Sequence, residues 1–215
     1  AEKQRGIMTH FSFSNTLNSI TSTQYTNELT GGRTIKPENI NGNWNAFGIV
    51  NLNMAVTKDK KLTLNSFTNG SYTNAVAYLA QDDTNKQKNT TRTSGVSERL
   101  TTTYRTNWVE FSLNGSLDYS HSRNLLQEAN NMDTYQFSYG ASTNVTLPWN
   151  MTLSTDLTNS SRRGYSEASM NTNELIWNAQ FSQNFLKGNA ATLSLQFYDI
   201  LHQQSTLSRS ISASA

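Results

Sequence analysis

Three histidines, His10, His121 and His202, are the side chains best suited to move a proton or hold a metal near neutral pH, and no cysteine is present to supply a thiolate. A zinc centre needs three or four convergent donors, yet these histidines are far apart and none has a second histidine at ligand spacing. Asp118 and His121 are three positions apart, as are Asp199 and His202. On an extended strand that spacing puts the two side chains on opposite faces, so neither couple is an acid–base pair by itself. In so Ser-rich a chain a Ser-His-Asp or Ser-His-Asn set can always be drawn across strands, and the drawing therefore discriminates nothing. Asp82-Asp83 is followed by Thr84-Asn85-Lys86-Gln87-Lys88, without the repeated acidic ligands and closing Glu of a calcium loop. Gly31-Gly32 is followed by no Lys-Ser/Thr at phosphate-loop spacing. The expectation is no catalytic residue, no metal and no cofactor. Arg162-Arg163-Gly164-Tyr165 is the clearest cationic group, expected at a loop tip as solvated charge or, with Asp82, as a first contact for ligand.

These residues must be positioned by strands. From Val109 to Tyr119 every second residue is apolar or Gly (Val109, Phe111, Leu113, Gly115, Leu117, Tyr119), and Glu110, Ser112, Asn114, Ser116 and Asp118 stand between them. A period of two held for about eleven residues has the length of a membrane-crossing strand. No run approaches the apolar length of a membrane helix. Hydrophobic content is 35% and mean hydropathy is −0.62, yet aromatics reach 10%, which argues against disorder. A barrel around a wet lumen reconciles these facts, because only the lipid-facing half of each strand has to be apolar. The net charge is +2, with Lys and Arg dispersed rather than gathered into a stripe, so nucleic acid is not an expected partner.

Alternation and turn signals predict about nine strands, near 5–24, 44–57, 61–80, 95–106, 108–123, 133–147, 150–164, 173–186 and 190–203. Short turns are expected at Lys58-Asp59-Lys60, Thr106-Asn107, Pro148-Trp149-Asn150 and Lys187-Gly188-Asn189. Long polar connections are expected at 27–43, which contains Pro37, and at 81–94, 124–132 and 160–172. The strict short, long alternation places all short turns on one rim, as in outer-membrane barrels. The predicted fold is thus all-β: an antiparallel up-and-down transmembrane β-barrel, in this chain a partial one. Val109, Phe111, Leu113, Leu117, Leu193, Leu195 and Phe197 would face lipid. Gln136, Ser138, Ser142, Asn144, Asn114 and Asp156 would face the lumen. Aromatic girdles are expected from Tyr119, Tyr135 and Trp177 at the long-loop rim, and from Trp108, Trp149 and Phe185 at the short-turn rim. Phe47, Ile49 and Phe67 break the alternation, through a bulge, a hydrophobe facing the lumen or a shifted register.

The stretch Asn184-Phe185-Leu186-Lys187-Gly188-Asn189-Ala190-Ala191-Thr192-Leu193-Ser194-Leu195-Gln196-Phe197-Tyr198-Asp199-Ile200-Leu201 resembles the penultimate hairpin of Bacteroidetes outer-membrane barrels of the TonB-dependent receptor class. The Phe-Leu-Lys-Gly turn and the strand closing in Asp-Ile-Leu carry the resemblance; elsewhere it is one of Asn/Thr/Ser-rich texture. It implies an outer-membrane location and a non-catalytic role in nutrient uptake. It also implies dependence on a plug domain and a TonB-type energy-coupling complex, with outer-membrane lipid, lipopolysaccharide and a surface lipoprotein as further partners. Residues 1–215 would be one barrel segment without signal peptide or plug. The resemblance implies a final strand along 207–215 with a terminal aromatic, which is not there; with the odd strand count, this points to the C-terminal part of a larger barrel that is missing its last strand. Two other classes stay open: an outer-membrane barrel hydrolase using His121 or His202, and a soluble β-sandwich or adhesin-like module.

Overall fold

The computed structural model describes residues 5–26, 32–80, 85–186, 188 and 190–204. Asp82, Lys187, Asn189 and the segment 207–215 lie outside the described residues. The strands are β1 (Arg5–Thr16), β2 (Ser19–Thr26), β3 (Arg33–Ile40), β4 (Asn43–Ala55), β5 (Leu62–Ala80), β6 (Lys86–Arg105), β7 (Val109–Asn124), β8 (Met132–Leu147), β9 (Met151–Arg163), β10 (Asn173–Phe185) and β11 (Ala191–Phe197). Short 3₁₀ turns are the only helical elements among the described residues.

Nine of the strands form one antiparallel sheet in the order β1-β4-β5-β6-β7-β8-β9-β10-β11. Each ladder keeps a single register from end to end, so no bulge interrupts it. Phe47, Ile49 and Phe67 are therefore apolar residues on the polar face, not signs of a slipped strand. The turns β4–β5, β6–β7, β8–β9 and β10–β11 all fall at one end of the sheet, and the longer connections at the other. Thr106 N donates to Val109 O at 2.7 Å across Asn107-Trp108. Trp149 (φ 64°) and Asn150 (φ 60°) complete the turn after Pro148 in the left-handed region. Among the described residues β1 pairs only with β4 and β11 only with β10, so the sheet has two free edges and does not close on itself.

Three expected boundaries are corrected. Residues 86–94, expected in a loop, are the first half of β6 and pair with Ala75–Ala80 and neighbouring residues of β5. They are polar on both faces, so their strand state rests on cross-strand hydrogen bonding and leaves no period of two to read. Residues 33–40, also expected in a loop, form β3 and pair with β2. Pro37 sits within β3, which has one strand partner and so an edge where a missing N–H costs nothing. At the other end, β11 stops at Phe197 rather than near 203. Asp199 (φ 44°) and His202 (φ 53°) turn the chain, and His202 N donates to Asp199 O at 2.9 Å.

The first predicted strand is broken at Leu17-Asn18, opposite Asn41-Gly42. The register of β1 with β4 continues unchanged into β2 with β3, so both belong to one long hairpin with a bend. Asn18 N donates to Asn41 Oδ1 at 2.6 Å, and Asn74 Nδ2 donates to Gly42 O at 2.7 Å. Gly42 has φ +118°, and a Cβ there would stand 3.0 Å from Val76 Cγ2, so both the backbone and the space favour glycine. Beyond the bend β2 runs parallel to the end of β5 at Gln24↔Leu79 and Tyr25↔Ala80. The distal arm buries Thr23, Tyr25 and Ile40, and Val76 and Ala77 of β5 are buried as well.

Glu38 fastens this arm. Its carboxylate accepts hydrogen bonds from Tyr25 Oη at 2.6 Å and Thr23 Oγ1 at 2.9 Å, and pairs with Lys86 Nζ at 3.0 Å. The Tyr25 hydroxyl above all, then Lys86 and Thr23, lower its pKa from 4.5 to about 2. A carboxyl lowered by folding stabilises the native arm above its unfolded value, and that contribution is lost as pH falls through the folded one. Limited proteolysis is thus expected to show the arm loosening between pH 4.5 and about 2. Glu38→Gln should be looser already at neutral pH and should lose that acid transition. An unchanged transition in the variant would remove Glu38 as the fastener.

Candidate functional site

The sheet presents two chemically opposite faces, and within the described residues no second layer covers either. Cross-strand partners share a face, so the registers sort every residue. One face carries Ile7, Phe11 and Phe13 of β1; Val50, Leu52 and Met54 of β4; Leu100 and Tyr104 of β6; and Phe111, Leu113 and Leu117 of β7. It continues through Phe137, Tyr139 and Val145 of β8, Leu153 and Leu157 of β9, Trp177 and Phe181 of β10, and Leu193, Leu195 and Phe197 of β11. Much of it is open: Phe11 is 75% exposed and Leu195 50%. The residues named as lipid-facing all lie on this face.

The opposite face is a lattice of hydroxyls and amides. Ser116 and Ser138 pair at 2.7 Å, Thr103 and Ser112 at 2.9 Å, and Ser182 and Ser194 at 2.9 Å. Gln196 Nε2 donates to Gln180 Oε1 at 3.1 Å, and Asn178 Nδ2 to Asp156 Oδ2 at 2.9 Å. Its charges are largely paired: Arg105 with Glu110 at 2.6 Å, and Arg99 with Asp118 at 3.9 Å. All six residues expected to face a lumen are here. Ser142, Asn144 and Asp156 line a polar groove of about 170 Å³ with Glu110, Ser112 and Ser154. His10 and Phe47 also lie on this face, with ring centroids 5.5 Å apart.

Of the aromatic residues, those expected in girdles lie toward the strand ends, whereas Phe11, Tyr139 and Phe181 lie mid-strand. Trp108 and Trp149 occupy short turns, exposed, and Phe185 ends β10 at the same edge. At the long-connection end Tyr119 and Tyr135 are cross-strand partners with centroids 4.8 Å apart. Trp44 and Tyr72, which sequence reasoning did not place in a girdle, stack at 4.9 Å on the same face toward the same end. Trp177 lies four residues in from the long-connection end of β10, with Nε1 donating to Thr155 Oγ1 at 2.9 Å.

Short of Tyr119 and Tyr135 the apolar face holds one carboxylate of β6, Glu98, opposite Leu117 and bonded by Ser66 and Thr68; directly beyond the two tyrosines it becomes ionic. His121 Nδ1 pairs with Asp133 Oδ1, Arg123 Nη2 with Asp133 Oδ2 at 2.7 Å, and Tyr119 Oη donates to Asp133 at 3.2 Å. Asp133 is the partner that sequence reasoning missed, because it comes from the next strand and only the β7–β8 register sets it opposite His121. Ser94 is the other neighbour of His121 on that face. Among the described residues no hydrogen bond joins Ser94 to His121, so the row Ser94-His121-Asp133 lacks the nucleophile–base contact of a hydrolase. Asp118 points to the polar face, as its spacing from His121 required. Asp199 is engaged by the backbone N–H groups of Gln203 (3.0 Å) and Gln204 (3.1 Å), which hold its carboxyl below the usual range. Arg162 and Arg163 are the last two residues of β9, on opposite faces, instead of a loop tip. Tyr165 follows in the connection, where its N–H donates to Asn171 Oδ1 at 3.0 Å. No group of three His, Asp or Glu able to hold a metal occurs among the described residues.

No family model, no curated protein and no solved structure matches the chain.

Proposed function

We propose that the chain is part of the wall, with the long-connection rim, of an outer-membrane β-barrel of the TonB-dependent receptor type, and serves nutrient uptake rather than chemistry. One observation carries this reading: a long antiparallel meander whose one face is apolar and open while the other is an open lattice of Ser, Thr, Asn and Gln. A soluble sandwich covers its apolar face with a second sheet. A barrel wall instead meets hydrocarbon outside and water inside. The two aromatic rims and the gathering of short turns at one end support the same environment. The polar face, with its paired charges, would line the interior or meet a plug domain. The resemblance of the β10–β11 hairpin to receptors of this class supplies the uptake role, together with the energy-coupling complex and surface lipoprotein as partners.

The chain has no cysteine, so single cysteines report without background. In intact outer membranes, cysteines placed one by one from Val109 to Tyr119 should react with a water-soluble maleimide at even positions and resist it at odd ones. Reactivity without a period of two would end the wall reading. A period of two in protein that stays folded and monomeric without detergent would select the sandwich.

A further inference from the structure

We infer that the apolar face binds an anionic, phosphate-bearing lipid at the long-connection end of β5, β6 and β7, with the phosphate on Arg92 and Arg123 and an acyl chain in the adjoining groove. The inference rests on the barrel-wall reading, since lipid reaches this face only from a bilayer.

Arg92 and Arg123 are direct cross-strand partners. Like charges set opposite each other in a sheet repel, and the arrangement calls for a counter-anion. Asp133 answers only part of that call: it is bonded to Arg123, and it is shared with His121 and Tyr119. Arg92 is exposed beside this group. Arg123 already directs Nη1 to the Ser122 and Met132 carbonyls and Nη2 to Asp133, so Arg92 supplies the paired N–H donors that suit phosphate oxygens and Arg123 adds its charge.

The two residues that follow Arg92 on the same face of β6, Ser94 and Val96, line a groove of about 780 Å³. Its floor is Gly70, whose cross-strand partner Gly48 is covered by the Phe11 ring, and its walls include Phe11, Phe13 and Tyr72. A Cβ on Gly70 would meet nothing within 4 Å, so the missing side chain leaves open space rather than a tight contact. Arg92 is level with Trp44, Tyr72 and Ser94 come next, and the groove below them is apolar as far as Thr68, whose Oγ1 donates to Glu98, the following residue of β6 on that face. That is the order of chemistry along a lipid: headgroup, interface, chain. A second copy docked face to face about a two-fold axis parallel to the strands would bring arginines toward arginines, which repel.

The test uses the full-length protein, extracted in mild detergent, delipidated and titrated by native mass spectrometry with phosphatidylglycerol, diacylglycerol or inorganic phosphate. Phosphatidylglycerol should bind, and neither diacylglycerol nor inorganic phosphate should displace it. Arg92→Ala, which removes no ion pair seen in the structure, should weaken binding about ten-fold. Gly70→Trp should weaken it as well, by filling the groove. Equal retention of diacylglycerol, or wild-type affinity in Arg92→Ala, would overturn the site, as would a dimer in place of a lipid adduct or release of free fatty acid. Insertion of each protein into phosphatidylcholine vesicles is scored in parallel. Protein that inserts without lipid selectivity refutes only this site, whereas protein that fails to insert refutes the barrel reading beneath it.

Discussion

On the proposed barrel-wall reading, Leu113→Arg is expected to abolish membrane assembly, and Asn114→Arg, its immediate neighbour, to leave assembly intact. Leu113 lies in the middle of β7 on the apolar face, 52% exposed, between Thr102 of β6 and Ala141 of β8. A guanidinium on the lipid side of a barrel costs about 2–4 kcal/mol near the bilayer midplane. No carboxylate on the adjoining strands stands opposite it to offset that cost. Asn114 is exposed on the polar face between Thr101 and Gly140, where an added cation stays hydrated and the effect should be within about 0.5 kcal/mol. Heat-modifiable gel mobility and protease resistance of the outer-membrane fraction measure the difference. Equal behaviour of the two variants would show that the faces do not meet different solvents.

Gly164→Ala is the other substitution expected to act strongly, through backbone alone. Gly164 has φ +88°, and a Cβ built on it would lie 1.9 Å from the carbonyl oxygen of Asp133. Neither atom is the end of a flexible side chain, so the β8 and β9 ends must part. Backbone strain and overpacking of this kind cost about 1–3 kcal/mol each. The Tyr135↔Arg163 pair should open first, and Asp133 should lose its hold on His121 and Arg123. Hydrogen exchange should show faster amides at 133–135 and 162–163, with the short-turn end of the same strands unchanged. Uniform protection across both ends would mean that the ladder absorbs the clash.

Where one face had to be apolar, the strands were legible. Val109 to Tyr119 announces both its extended state and its two sides, and the turn chemistry at Asn107-Trp108 and Pro148-Trp149-Asn150 marks where the chain reverses. Lys86 to Ser94 shows the limit of that signal. This part of β6 is held by the β5 and β7 ladders and by hydrogen bonds such as Asn124 Nδ2 to Thr91 Oγ1, and a polar strand with polar neighbours has no hydrophobic period. Pro37 misled in a related way, since a proline argues against a central strand but not against an edge. The ionic group at His121 was hidden for another reason. Its carboxylate belongs to a different strand, and strand pairing across the connection from Leu125 to Asn131 cannot be counted until both strand ends are known.

The meander has a consequence for how this chain reaches its native state. Along the nine-strand path every strand is bonded to its predecessor in that path, so almost all pairing is between segments close in sequence. Loop closure is then inexpensive at each step, and topologies rich in such near-neighbour pairing fold fast for β proteins. The bent hairpin, whose two arms return to β5, is the one detour. Growth by addition of hairpins also leaves every earlier register untouched. Insertion or loss of a strand pair in evolution would change the width of the sheet without rewriting the sequence of the strands that remain.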